Sequence, residues 1–167
     1  MNDERRQVLF REALGAGIDR DTSRALKLVD EVLAADPDDV EALLIQGNIL
    51  EMMHRIPLAR AAYERVLQLE PGNVVAMIDV ADCDADDDRF GDALARLDEA
   101  QARIEAGLDR DDRDDELESV MERKYSLLVK VGRESDAHRL AEHALVLFPD
   151  STLWAGLGTP PRGDEQR

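Results

Sequence analysis

Several things are scarce in this chain, and each scarcity removes a class of function. A single cysteine in 167 residues excludes an internal disulfide and any zinc centre built from several cysteines. Aromatic residues are few, at 4%, and β-branched runs are short. Ala and Leu dominate, so the composition leans helical. No apolar run reaches the length of a membrane span. The opening segment MNDERRQVLF is charged and lacks the apolar core of a secretion signal, so a cytoplasmic protein is the simplest expectation. Lysine is rare beside arginine, and aspartate outnumbers glutamate. Such a surface fits a high-salt cytoplasm or a GC-rich genome, and composition does not separate the two. The formal charge of −17 argues against nucleic acid and anionic membrane as partners, because both would be repelled, and is compatible with basic partners. The length suits one domain with a continuous core.

What is present is a period. Ala25, Ala59 and Ala93 lie 34 residues apart, as do Pro37 and Pro71. Val29, Tyr63 and Leu97 keep that spacing, and so do Val32, Val66 and Ala100. The register then slips. The next matching set is Ala137, Ala141, Ala144 and Pro149, and Ala93 to Ala137 is 44 residues, so ten have been inserted across Gly107–Leu117. Each unit reads as two helices. In the second, VEALLIQGNILEMM (40–53) has apolar residues at helical spacing, HRI makes a turn, and PLARAAYERVLQLE (57–70) follows with Pro57 in its first turn. Pro71-Gly72-Asn73 ends that helix, and Asn73 is placed to cap the next.

The stretch VEALLIQGNILEMMHRIPLARAAYERVLQLEPGN resembles a tetratricopeptide repeat over its full 34 residues. Gly47 matches the small eighth place, Ala59 the twentieth, Tyr63 the aromatic twenty-fourth and Pro71 the thirty-second. The small residues let the paired helices approach, the aromatic fills the gap to the neighbouring repeat, and proline stops the second helix. Four repeats are expected, at about 6–39, 40–73, 74–107 and 118–151, with an acidic insertion at about 108–117. The third has Glu105 where the terminal proline would be, and the fourth has Tyr125 in the small eighth place. The resemblance implies an all-α, right-handed superhelix. A short helix with Leu153, Trp154 and Leu157 would cover the last repeat, Asp150 or Ser151 capping it and Trp154 packing on the fourth repeat. The domain would span 1–158, with 159–167 as a disordered tail.

Two acidic runs invite a metal reading. CDADDDRF (83–90) falls at the end of the third repeat's first helix and in its turn, where a solvated Asp-rich turn is the plain expectation. A calcium loop starting at Asp82 would need glycine at its sixth place and a bidentate Glu at its twelfth, and it finds Asp87 and Ala93. Starting at Asp84 gives Arg89 and Ala95, so both registers fail. The run DRDDRDDE (109–116) reads as a long loop between repeats, partly helical from Asp114, and a possible docking loop for a basic partner. No enzyme signature stands out. Gly15-Ala16-Gly17 lacks a third glycine and follows a helix, and there is no nucleophile elbow or zinc-protease motif. His138 and His143 are five apart and share a helix face poorly. Cys83 reads as a packed small hydrophobe rather than a reactive thiol. No cofactor or metal is expected.

In tetratricopeptide proteins the first helices of successive repeats line a concave, peptide-binding surface. The resemblance therefore nominates Phe10, Leu14 and Ile18 in the first repeat, and Glu41, Leu44, Asn48, Glu51 and Met52 in the second. It adds Val75, Ile78, Asp82 and Asp86 in the third and Glu122 in the fourth. Phe10, Leu14 and Leu44 have a plainer alternative, which is packing between repeats. The basic residues that grip an acidic chaperone tail in this family are missing, and Glu51, Asp82 and Asp86 would repel one. The expected function is that of a non-enzymatic scaffold or adaptor. It would hold a peptide or helix of a partner protein, apolar with basic residues, and would bind neither nucleic acid nor membrane. Size and charge also resemble small acidic tetratricopeptide chaperones of bacterial secretion systems, although those carry more groove aromatics. A metal-dependent enzyme using the acid runs is a third reading, testable by calorimetry. Such arrays can dimerise through an incompletely capped last repeat.

Overall fold

Four of the helices open on a side chain that captures their own backbone. In the computed structural model, which describes residues 1–107 and 113–157, Asn2, Asp21, Asp39 and Asn73 accept from the amides of Arg5, Arg24, Ala42 and Ala76. Each satisfies one of the amides that a helix start leaves without a partner. The helices are α1 (Asp3–Ile18), α2 (Thr22–Ala35), α3 (Val40–Met52), α4 (Ile56–Leu69), α5 (Val74–Asp86), α6 (Phe90–Ala106), α7 (Arg113–Lys130), α8 (Glu134–Leu147) and α9 (Thr152–Leu157). No strand occurs among the described residues, and no described helix is long and apolar enough to cross a membrane.

Proline sets where the second helix of a pair stops. α2, α4 and α8 each end two residues before Pro37, Pro71 and Pro149. A proline ring disfavours helical geometry in the residue before it. α6, with Glu105 in the corresponding place, runs on to Ala106. The turn inside each pair has its own device. Arg20, His54, Asp88 and Gly132 adopt left-handed backbone, with φ of 58°, 55°, 58° and 74°. Three of these turns close with the amide of the next residue bonding five residues back: Asp21 to the Ala16 carbonyl, Arg55 to Leu50 and Arg133 to Leu128, each at 2.8 Å. The left-handed positions are spaced 34, 34 and 44 residues apart, the same spacing as the buried alanines.

The periodic residues are the buried ones. Ala25, Ala59, Ala93 and Ala137 lie inside, as do Val29, Tyr63, Leu97 and Ala141, and Val32, Val66, Ala100 and Ala144. The chain forms two compact units, residues 1–87 and 88–167. In the first, α1 to α5 pack each on the next. The closest approach is at Gly47, where an added Cβ would stand 2.2 Å from Tyr63 Cε1. The Tyr63 ring therefore lies across α3, and it also joins Val80 and Cys83 of α5 in one apolar cluster. In the second unit Lys124 reaches from α7 to Asp98 (2.7 Å) and Gln101 (2.5 Å) of α6. Trp154 of α9 is fully buried, edge-on to Tyr125 of α7 at 6.0 Å. Ser151, just before α9, donates to Glu118 at 2.5 Å. The expected tail at 159–167 and the segment 108–112 of the expected insertion lie outside the described residues. The described remainder of that insertion is helical, because α7 starts at Arg113.

Two arginines, each paired with two carboxylates, tie helices of the first unit together. Arg6 of α1 forks onto Asp39 (Nε–Oδ2 2.5 Å, Nη2–Oδ1 2.9 Å) and also reaches Glu41 at 2.7 Å. Arg60 of α4 bonds Asp84 at 2.5 Å and Asp87 at 3.0 Å. The expectation of a solvated Asp84–Asp88 turn is thus corrected at Asp84. It is 2% exposed, lies within α5, and is buried because Arg60 neutralises it.

Two outcomes follow. Glycine is the residue suited to left-handed backbone, so His54→Gly should raise stability by about 0.5–1 kcal/mol and Gly132→Ala lower it by about 1. Urea unfolding measures both, and a destabilising His54→Gly would refute the assignment. The second concerns pH. Hydrogen bonding to Arg6, partly opposed by burial, holds Asp39 below its ordinary value of 3.8. Its contribution is therefore complete above that ordinary value and is lost as pH falls through the lower folded-state value. Asp39→Asn keeps a good helix cap and removes the charge. The variant should lose about 1–2 kcal/mol at neutral pH and show a shallower acid-unfolding profile; an unchanged profile would contradict the pairing.

Candidate functional site

The sequence nominates a stripe on the first helix of each pair, at steps of three and four residues. All of its residues except Glu122 fall in the first unit, on α1, α3 and α5. Glu122 is exposed on α7 of the second unit. The apolar members divide by exposure. Leu14 (62%), Ile18 (83%), Met52 (55%) and Val75 (47%) stand in solvent, whereas Leu44 and Ile78 are half-buried. Phe10 does not take the place expected of it. Its ring is buried in the core with Leu9, Ala13 and Ala16, and the Arg6 guanidinium covers it at 4.5 Å. An aromatic ring on a helix that packs on only one side gains more from burial than from display.

The acidic members divide by what already holds them. Glu41 is exposed and accepts from Arg6 at 2.7 Å. Asp82 is half-buried and Asp86 exposed on the last turns of α5. Glu51 is half-buried on α3, with no cation bonded to it among the described residues. Its oxygen lies 3.2 Å from the Tyr63 hydroxyl, which donates at 2.6 Å to Asn48 Oδ1. The Tyr63 phenol is pushed well above its usual range, first by burial and then by the negative field of Asp79 and Glu51. It therefore remains a donor. Sequence reasoning took Tyr63 as filler between repeats and missed that its buried hydroxyl bonds Asn48 and lies beside Glu51. The available signal was the pairing of Tyr63 with glycine at 47: without a side chain there, the ring lies over α3 and its oxygen meets Asn48 and Glu51.

The remaining candidates have structural partners. Cys83 is buried and its thiol is pushed up to about 11, first by burial, with Arg60 opposing. That is a packed thiol rather than a nucleophile. The acids read as a possible calcium loop are helical through Asp86. Among the described residues no group of three or more His, Cys, Asp or Glu is placed to hold a metal ion. His138 meets Glu142 at 3.2 Å on its own helix face. One other concavity of the first unit is a shallow groove of about 410 Å³ between α2 and α4, floored by Leu26, Leu43 and Leu50.

No protein-family model matches the chain, and no curated protein matches it in sequence. Solved structures of tetratricopeptide-containing proteins do match it in fold. PilF of Pseudomonas aeruginosa superimposes with a TM-score of 0.75 at 20% identity, over 93% of this chain and 67% of that one. The MamA protein gives 0.70 at 17%, over 89% and 75%. SycD, a type III secretion translocator chaperone of Yersinia enterocolitica, gives 0.70 at 16%, over 79% and 89%. With helix pairs stacked in series, small residues and an aromatic at the contact, and these neighbours in shape, the chain has the all-α tetratricopeptide fold.

Proposed function

We propose that the chain is a non-enzymatic interaction module, a scaffold or adaptor that holds a peptide or helix of a partner protein. The site would be the groove lined by α1, α3 and α5. One observation carries this reading. The first helices of the first unit expose Leu14, Ile18, Met52 and Val75, uncovered among the described residues, together with the carboxylates of Glu51 and Asp86. An apolar segment with basic residues complements that surface. Burial of its apolar side chains supplies most of the affinity, and the charges supply encounter rate and selectivity. Glu122 on α7 and the acidic run at 109–116 are further points for a basic partner. Phe10 contributes from below, as support for α1. The formal net charge of −17 turns nucleic acid and anionic membrane away and suits work in the cytoplasm, as a monomer or a homodimer.

A narrower reading is favoured by one neighbour. SycD is a translocator chaperone, and this chain covers 89% of its length in the superposition. On that reading the groove shields an exported or assembly-prone protein before use, and a co-expressed insoluble partner would become soluble.

Capture from native extract with the wild type beside Leu44→Arg/Val75→Arg tests the groove. A protein retained by the wild type and lost by the variant is expected, with an association rate that falls as salt rises. Equal retention by both would move the site to the α2–α4 groove or the acidic run. A salt-independent on-rate would contradict the role given to the carboxylates.

A further inference from the structure

Tyr63 is a buried titratable group that packing alone does not fully use. Its ring fills the space over Gly47, a task phenylalanine could perform, yet its hydroxyl reaches two polar side chains on the exposed side of α3. Those two, Asn48 and Glu51, are three residues apart and so neighbours on one helix face. A carboxamide is planar. With Asn48 Oδ1 accepting from Tyr63, its two N–H donors turn away from the phenol, and Asn48 is exposed. One Glu51 oxygen lies 3.2 Å from the phenol, and no cation is bonded to that carboxylate among the described residues. The other carboxylate of α3, Glu41, is held by Arg6.

We infer that Tyr63 is a positioning residue for the groove: its hydroxyl, donating to Asn48 Oδ1, fixes the Asn48 amide as a donor one turn from the Glu51 carboxylate, and the two take a basic residue of the bound segment. Glu51 meets the cation, and the Asn48 amide meets that residue's main-chain carbonyl. This deepens the groove reading and rests on it. A fixed donor and acceptor lose less freedom on binding than two free side chains, and that is the gain Tyr63 supplies over phenylalanine. The chemistry selects lysine or arginine and disfavours an acidic residue at that place.

The test uses the full chain and a random twelve-residue peptide library displayed on phage. Peptides are selected on wild type and counter-selected on Leu44→Arg/Val75→Arg, then synthesised with and without their basic residue. Affinities are measured for wild type, Tyr63→Phe, Asn48→Ala and Glu51→Gln. Tyr63→Phe should bind the basic peptide about three- to tenfold more weakly, the worth of an oriented hydrogen bond. It should also lose less than the wild type does when the peptide's basic residue is replaced by alanine, a coupling that a merely structural role would not produce. Glu51→Gln should flatten the salt dependence. Should Tyr63→Phe fail to fold, the same coupling is read from the two surface variants, which keep the ring in place. If Tyr63→Phe, or in its stead both surface variants, binds as the wild type does, the inference fails while the groove stands. If no peptide survives counter-selection, the groove reading itself fails, and the inference with it.

Discussion

One close approach organises the first unit. At Gly47 there is no side chain, and the Tyr63 ring occupies the space a methyl group would need, 2.2 Å away. That contact sets how near α4 can come to α3. The same ring then continues to Val80 and Cys83, so α5 packs against the pair through it. A fully buried tyrosine contributes on the order of 2–3 kcal/mol through its apolar area alone, and its hydroxyl is satisfied at Asn48 rather than stranded. The fold and the polar part of the groove thus share one residue. A helix that loses its glycine would lose both the approach and the placement of the hydroxyl against Asn48.

The ends of the helices are governed by backbone chemistry of the same local kind. Asn and Asp caps start them, left-handed residues turn them, and prolines stop them. α6 shows what happens without the last of these, running on to Ala106 where α4 ends two residues before its proline. Long-range ionic contacts then fix the register. Arg6 joins α1 to the start of α3, and Arg60 joins α4 to the end of α5. In a chain with so large an excess of acid, each arginine spent in this way removes carboxylates from the set a partner could reach. Glu41 is paired with Arg6, and Glu51 has no bonded cation among the described residues.

Most of the architecture was legible because it repeats. The alanines at 25, 59, 93 and 137 announced both the helix pairs and the ten-residue slip, and Asn73 and the prolines announced the boundaries. What was not legible depends on residues far apart in sequence. Asp84 reads as one more solvated acid until Arg60, 24 positions earlier, is seen beside it. Phe10 reads either as a groove residue or as packing between repeats until its burial beneath Arg6 favours the second. The left-handed turns were a middle case. Three of the four lack glycine, so composition hid them, yet their spacing of 34, 34 and 44 was in plain view. In the candidate site, the aliphatic positions were nominated by the family resemblance, while the Tyr63 hydroxyl was not, since a repeat pattern does not say which side chains a ring's hydroxyl will meet.

The most direct test of this account is urea unfolding of Gly47→Ala in two backgrounds, wild type and Tyr63→Leu. With tyrosine present, the added methyl should cost about 1–3 kcal/mol, because it overlaps the ring. With leucine at 63 the overlap is relieved, and alanine's better helix propensity should make the change neutral or stabilising. An equal effect of Gly47→Ala in both backgrounds would show that the Gly47–Tyr63 contact does not set the approach of α3 and α4.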